Sequence, residues 1–196
     1  MASARKRTLI MLYDVVSRFY DKLYGEEQLR KFRAASRLSG LFRPGCHRPN
    51  VVLDAGCGVG LITELLCSCC GYVVGLDFSR GMIRRAVERL KRFRNVDLIL
   101  GDVEALPFRP RSFDLVLSLT VLQNCLSPLR ALKGLLRCLA RRGVVIVSYF
   151  KRARNVSRVE KTYGGLVVRD VDPSDNLLVL AKGVSVGRER MIEVAH

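Results

Sequence analysis

The sequence predicts an α/β fold with a seven-stranded, mostly parallel sheet, and three observations lead to it. First, short apolar runs rich in β-branched residues alternate with segments whose apolar residues recur at helical spacing. Such alternation gives parallel strands joined by right-handed helical crossovers, with helices on both faces of the sheet. Second, the run Val51 to Asp54 passes straight into a turn with glycine at alternate positions, Gly56, Gly58 and Gly60. Third, the last two runs, Leu166–Arg169 and Leu177–Ala181, are separated by the turn Asp172-Pro173-Ser174-Asp175. They read as a hairpin, which makes one strand antiparallel.

At 196 residues and 22.0 kDa, with 49% hydrophobic residues, the chain supports one domain with a full core. It divides into an N-terminal helical extension, residues 1–48, and the main α/β unit, residues 49–196. The net charge is +16, and arginine supplies 26 of the 34 basic residues. Arginine grips phosphate in a bidentate way, so this balance favours an anionic partner, RNA first. Arginine richness also follows from genome composition or heat adaptation. Seven cysteines do not imply a disulfide scaffold here, because nothing looks secreted. The basic opening Arg5-Lys6-Arg7 precedes an apolar run that stops at Asp14, too short for a signal segment. No stretch approaches the ~20 apolar residues of a membrane span. A basic, cytoplasmic protein with reduced thiols is expected.

Taken in order, apolar residues at 12, 15, 16, 19, 20 and 23 predict a helix over Leu9–Tyr24 that Gly25 breaks. A second helix, Glu26–Ser39, puts Leu29, Phe32, Ala35 and Leu38 on one side and Arg30, Lys31, Arg33 and Arg37 on solvated faces. The segment Arg43–Pro49 closes the extension as a loop. After the glycine turn, Leu61, Ile62, Leu65, Leu66 and Cys69 form a helical stripe. The next strand, Tyr72–Asp77, leads to Ser79 as the N-cap of a helix with core stripe Met82, Ile83, Ala86, Val87 and Leu90. Seven cations between Arg80 and Arg94 cover its other faces, as a solvated outer layer would. Strands follow over Val96–Leu100 and Phe113–Ser118. A further helix begins with Ser127 and Pro128 and stops at Gly143, and the fifth strand is Val144–Phe150.

The stretch from Val51 to Gly60 carries the chemistry. Bare glycines let the backbone turn sharply and approach a ligand, and a helix N-terminus follows at Leu61. Together these make the nucleotide cradle of a Rossmann-like sheet. The spacing is G-x-G-x-G, and Leu61 stands where a dinucleotide fingerprint has its third glycine. Asp54 ends the strand with a carboxylate, which repels phosphate and suits a positive amine. NAD is therefore disfavoured, and an amino-acid-bearing nucleoside fits better. Asp77 lies twenty-one residues past Gly56, the distance at which βαβ folds set an acid against ribose hydroxyls.

These residues resemble the class I S-adenosylmethionine-dependent methyltransferases, in the broad group that includes the ubiquinone/menaquinone-type enzymes. The likeness is carried by Val52–Gly60, by Gly75-Leu76-Asp77-Phe78-Ser79-Arg80-Gly81-Met82, by Gly101–Phe108 and by Ser112–Val116, in order over roughly residues 13–182. Phe19-Tyr20-Asp21 resembles the Tyr-Asp element such enzymes carry ahead of the first strand. The resemblance implies S-adenosyl-L-methionine as cofactor. Asp54 and the backbone of Gly56, Cys57, Gly58 and Gly60 would receive its methionine end. Asp77 would hold the ribose diol, Asp102 and the Val103 amide would read the adenine edge, Met82 and Leu119 would complete the site, and Tyr20 would cover it as part of a lid.

Methyl transfer is an in-line displacement on an already activated donor, so alignment and dehydration suffice. No triad or metal is legible. His47 lies in a loop and His196 at the end of the sequence, and Cys67, Cys69 and Cys70 have no second pair at zinc spacing. Cys69 falls on its helix's stripe as core filler, and Cys125 lacks the context of a cytosine-C5 nucleophile. Gln123 and Asn124 are expected to face the acceptor, with Tyr149 and Asp14 as weaker candidates. Ser118-Leu119-Thr120-Val121 replaces the Asn/Asp-Pro-Pro-aromatic run of adenine-N6 and glutamine methyltransferases. With only the N-terminal helices to roof it, the site is expected to be open. An open site and the +16 charge point to RNA, tRNA or rRNA, as acceptor, aided by an activating partner subunit. The alternatives are a small quinone-precursor-like acceptor, or a non-catalytic methyltransferase fold kept for binding or assembly.

Overall fold

The computed structural model of the protein describes residues 3–39, 49–152, 166–172 and 175–181. Its centre is a parallel sheet, β1 (Val51–Ala55), β2 (Tyr72–Asp77), β3 (Val96–Leu100), β4 (Phe113–Leu119) and β5 (Leu139–Phe150). These stand in the order β3-β2-β1-β4-β5. Beyond β5 the sheet continues with β7 (Asp175–Ala181), antiparallel to it, and then β6 (Leu166–Asp172) at the edge.

Strand residues divide between the two faces with the period of two that pleating imposes. Leu53, Val116, Val145 and Val147 face one core, shared with Ala131, Leu132, Leu135 and Cys138 of helix α5 (Pro128–Cys138). Val52, Leu115, Leu117 and Ile146 face the other, where α3 (Leu61–Cys67) and α4 (Arg80–Leu90) contribute Ile62, Leu66, Ala86 and Leu90. Helices α1 (Ala4–Val16) and α2 (Tyr20–Ser39) precede the sheet, and Ala35 of α2 joins this second core.

Four local expectations change. The N-terminal helices part at Ser17–Phe19, where the Ser17 hydroxyl donates to the Asp14 carbonyl, and not at Gly25. Gly25 is buried inside α2, where a Cβ would lie 3.8 Å from Leu61 Cδ2. A single helical glycine costs only about 1 kcal/mol, which packing offsets. Helix α5 ends at Cys138, and Gly143 lies within β5. Phe113 pairs with Leu139 but Leu115 with Val144, so the ladder is irregular over residues 140–143. A Cβ on Gly143 would meet Leu139 Cδ1 at 2.7 Å and the Asp114 carbonyl at 2.8 Å, so the glycine serves this crossing and not a helix stop. Cys69 lies beyond α3 and is half-buried, while Cys67 and Cys70 are the buried pair. Val87 is 50% exposed, because α4 turns only Met82, Ala86 and Leu90 fully inward. The expected domain boundary at residue 48, His47, His196 and the loop after Gly40 lie outside the described residues.

Candidate functional site

Sheet order reverses between β1 and β4, and at the carboxyl ends of such neighbouring strands a crevice opens. Here it is a cleft of about 590 Å³, counted with its opening to solvent, which suits a small-molecule ligand. Its floor is the glycine turn. Gly56, Gly58 and Gly60 have φ of +86°, +56° and +79°. Gly56 and Gly58 line the cleft, and a Cβ on Gly56 would stand 2.3 Å from Val121 Cγ2. Gly60 turns away, capping α3 and packing against Ala86 and Leu90.

Asp77 enters the cleft from the end of β2. Its Oδ2 accepts from the Gly58 N–H at 3.0 Å and its Oδ1 from the Ser79 N–H at 2.9 Å. Burial raises its carboxyl from 3.8 to about 6, against the lowering effect of those N–H donors. The same side chain therefore shapes the glycine turn and offers spare lone pairs to a ligand. Asp102 follows β3 and caps the 3₁₀ turn Val103–Ala105, accepting the Glu104 N–H at 2.9 Å. Met82, Val103 and Leu119 supply apolar wall, each under a tenth exposed.

The roof comes from α1 and α2. Tyr13 and Tyr20 both line the cleft, and the Asn124 amide donates to the Tyr13 hydroxyl at 2.8 Å. Tyr13 packs against Phe78 with ring centroids 5.7 Å apart, and burial raises both tyrosine hydroxyls above the ordinary range. Asp14 fixes α1 to the sheet: its Oδ1 accepts the Ser79 hydroxyl at 2.5 Å and the Gly81 N–H at 2.8 Å, at the N-terminus of α4. Lys6 reaches the far end of the cleft, ion-paired to Asp102 and donating to Glu104 at 2.6 Å. Burial disfavours its charge, yet the two carboxylates outweigh burial and raise its pKa. Glu104 in turn accepts the N–H groups of Leu126 and Ser127 at 3.1 and 2.7 Å, which holds the loop after β4.

The structure thus brings Tyr20, Gly56, Gly58, Asp77, Met82, Asp102, Val103, Leu119 and Asn124 to one cleft. Four expected site residues stand outside its wall. Asp54 is 4% exposed behind the turn, its Oδ2 accepting the Thr63 hydroxyl of α3 at 2.7 Å, and burial raises its carboxyl to about 6. The Cys57 side chain points back to the strands, where a Cβ on Gly75 would meet its Sγ at 3.1 Å. Gly60 serves helix packing, and the Gln123 amide donates to the Thr120 carbonyl at 2.7 Å. Asp14 docks the roof and does not face an acceptor, and Tyr149 is 3% exposed in the α5-side core. Burial pushes the Cys125 thiol up to about 12, the wrong direction for a nucleophile. Among the described residues no group of three or more metal-ligating side chains assembles.

Sequence reasoning missed Lys6, Tyr13 and Thr120. Thr120 holds φ of +59°, its N–H accepted by Ser148 Oγ at 2.9 Å. Its hydroxyl accepts from Lys31, a lysine with no exposed surface that is ion-paired to Glu27. Nothing local marks these residues, because each acquires its place through a partner about ninety residues away or more.

With this geometry in view, the likenesses to known proteins are informative. The methyltransferase-domain family model matches residues 53–147. A malonyl-[acyl-carrier protein] O-methyltransferase of Marinomonas sp. is 31% identical over 169 residues, covering 84% of this chain and 59% of that protein. A demethylmenaquinone methyltransferase of Clavibacter sepedonicus is 30% identical over 147 residues, covering 71% of this chain and 56% of that protein. The chain thus spans under two thirds of the length of these relatives. A crystal structure of a SAM-dependent methyltransferase from Aquifex aeolicus shares the fold, with TM-score 0.66 and 19% identity over 84% of this chain and 97% of that one. Cleft, fold and sequence likeness agree, and the chain belongs to the class I S-adenosylmethionine-dependent methyltransferases.

Proposed function

We propose that this protein transfers the methyl group of S-adenosylmethionine to a small acceptor. The observation that carries the reading is the convergence of the glycine turn, Asp77 and Asp102 on one cleft roofed by two tyrosines. The residues present fit the cofactor. Gly56 and Gly58 line the cleft with bare backbone, and the acids of the wall suit hydroxyls and amines where a phosphate would be repelled. When bound, S-adenosylmethionine supplies an activated methyl on sulfur. In this reading Asp77 accepts from the ribose hydroxyls, and Asp102 with the Val103 N–H meets the adenine edge. The bare backbone of Gly56 and Gly58 meets the methionine end, while the N–H groups of Gly56, Cys57, Gly58 and Gly60 are spent internally on the Leu76 carbonyl, Asp77 and the Cys57 carbonyl. Asp54 acts from behind, holding Thr63 and with it the first turn of α3.

The chain's own work is then alignment and exclusion of water. Tyr13, Tyr20 and Asn124 close the cleft above the strand ends, and an acceptor placed there is dehydrated as it is oriented. The roof favours a small acceptor over the open site expected from the sequence. RNA is the second reading, supported by the +16 charge and the exposed cations of α4, Arg80, Arg84 and Arg85. Two measurements test these assignments. Calorimetry should detect S-adenosylhomocysteine and not NAD, and NAD binding alone would overturn the cofactor. A labelled-methyl assay on total cell extract should mark the small-molecule fraction. Label confined to RNA would replace this acceptor by the second reading.

A further inference from the structure

We propose that the outer face of the helical roof docks on an anionic lipid bilayer. Met11, Val15, Phe19 and Leu23 recur every four residues from α1 into α2, and Leu12 lies beside them. All five are more than half exposed, from 54% at Leu12 to 69% at Met11. The bend between the helices does not scatter them, because near-helical hydrogen bonds continue across it, Ser17 N–H to Tyr13 carbonyl, Phe19 N–H to Val16 and Leu23 N–H to Phe19. A run of large apolar side chains along one face is rarely left to water without a partner.

The charge beside the stripe identifies the partner. Arg5, Arg7, Arg18 and Lys22 are exposed around it. The acids of the same helices are engaged elsewhere: Asp14 at the start of α4, Asp21 with Arg89, Glu27 with Lys31, and Glu26 with Arg30 beyond the end of the stripe. An apolar face flanked by cations matches an interfacial helix, whose apolar side chains enter the acyl boundary while basic stems reach the headgroups. RNA fits this face poorly, since phosphate gains nothing from Met11, Leu12, Val15 and Leu23. A second copy fits poorly too, because a two-fold contact would set like cations against each other on a chain of net +16. The other side of the same helices carries Tyr13 and Tyr20, so docking would seat the cleft beside the bilayer boundary.

The chain has no tryptophan, so Phe19→Trp installs a single reporter. With the intact chain, its emission should shift to the blue on adding phosphatidylglycerol/phosphatidylcholine vesicles and be quenched by brominated acyl chains. Pure phosphatidylcholine should give much weaker binding. Val15→Glu with Leu23→Glu should weaken vesicle co-sedimentation on the order of a hundredfold. Arg18→Gln or Lys22→Gln should cost about fivefold each. These readouts require neither cofactor nor turnover, so they stand or fall separately from the proposed reaction. Unshifted emission, or undiminished binding by the glutamate variant, overturns the proposal. So does emission already blue without vesicles, which would mean that the chain covers this face itself. RNA binding without vesicle binding, or a dimer abolished by the glutamate changes, assigns the face to another partner.

Discussion

The two walls of the cleft hold their residues in different ways. The sheet wall places Gly56, Asp77 and Asp102 at strand ends, where the backbone ladder sets each within a residue or two of its neighbours. The roof places Lys6, Tyr13 and Tyr20 through side-chain contacts with partners far along the chain, Asp102, Asn124 and the glycine turn. The first wall is rigid because its positions follow from sheet register. The second is docked through side chains, Asp14 on α4, Lys6 on Asp102 and Glu104, Lys31 on Thr120, and the packing of Ala35 in the second core. Damage should therefore be severe on the sheet side and graded on the roof side.

Gly56→Ala should do most harm. The new Cβ would lie 2.3 Å from Val121 at a φ of +86°, combining steric clash with backbone strain. We expect more than a hundredfold loss of S-adenosylhomocysteine affinity by calorimetry, with about 2 kcal/mol or more of lost stability. Gly58→Ala is the sharpening control. Its Cβ meets nothing nearer than Tyr20 at 3.9 Å, so only the φ of +56° costs, about 1–2 kcal/mol.

Asp77→Ala removes the acceptor of two buried N–H groups as well as the proposed ribose contact. About 3 kcal/mol, or on the order of a hundredfold in affinity, should be lost. The acid pair also predicts opposite pH responses. Burial raises Asp54 and Asp77 from 3.8 to about 6, so the folded chain binds more protons than the unfolded one in that window. Stability of the ligand-free protein, followed by thermal unfolding, should therefore fall as pH rises from about 4 to 6. Affinity for S-adenosylhomocysteine should change the other way, weakening about tenfold per unit below pH ~6 where one proton is taken up.

The smallest effect belongs to the roof. Asp14→Ala frees the Ser79 hydroxyl and Gly81 N–H at the start of α4, about 1 kcal/mol of docking. Affinity should drop about fivefold, and limited proteolysis should cut within residues 3–39 sooner. A loss as large as that of Gly56→Ala would show that the two walls are not mechanically distinct.

This contrast also explains what could be read in advance. The glycine turn and Asp77 were legible because a βαβ unit converts sequence spacing directly into position at one end of a sheet, whereas Asp102 was legible through the likeness to the methyltransferases. The cations misled for the opposite reason. Arg5-Lys6-Arg7 and Arg30-Lys31 look like solvated charge, yet Lys6 and Lys31 are buried beside carboxylates supplied by folding. Gly25 and Gly143 resembled helix breakers, but a glycine's meaning depends on what a Cβ would touch, and those atoms come from Leu61 and Asp114.

By itself, the order of residues determined the parallel sheet, the bare turn after β1 and the acids at the ends of β2 and β3, because each rests on contacts between near neighbours or on strand register. Tertiary structure alone decided that Asp54 stands behind the cleft and not in it, that a lysine near the start of the chain reaches Asp102, and that Tyr13 joins Tyr20 in the roof. Those outcomes depend on packing between distant segments, where burial and charge pairing outweigh any local preference.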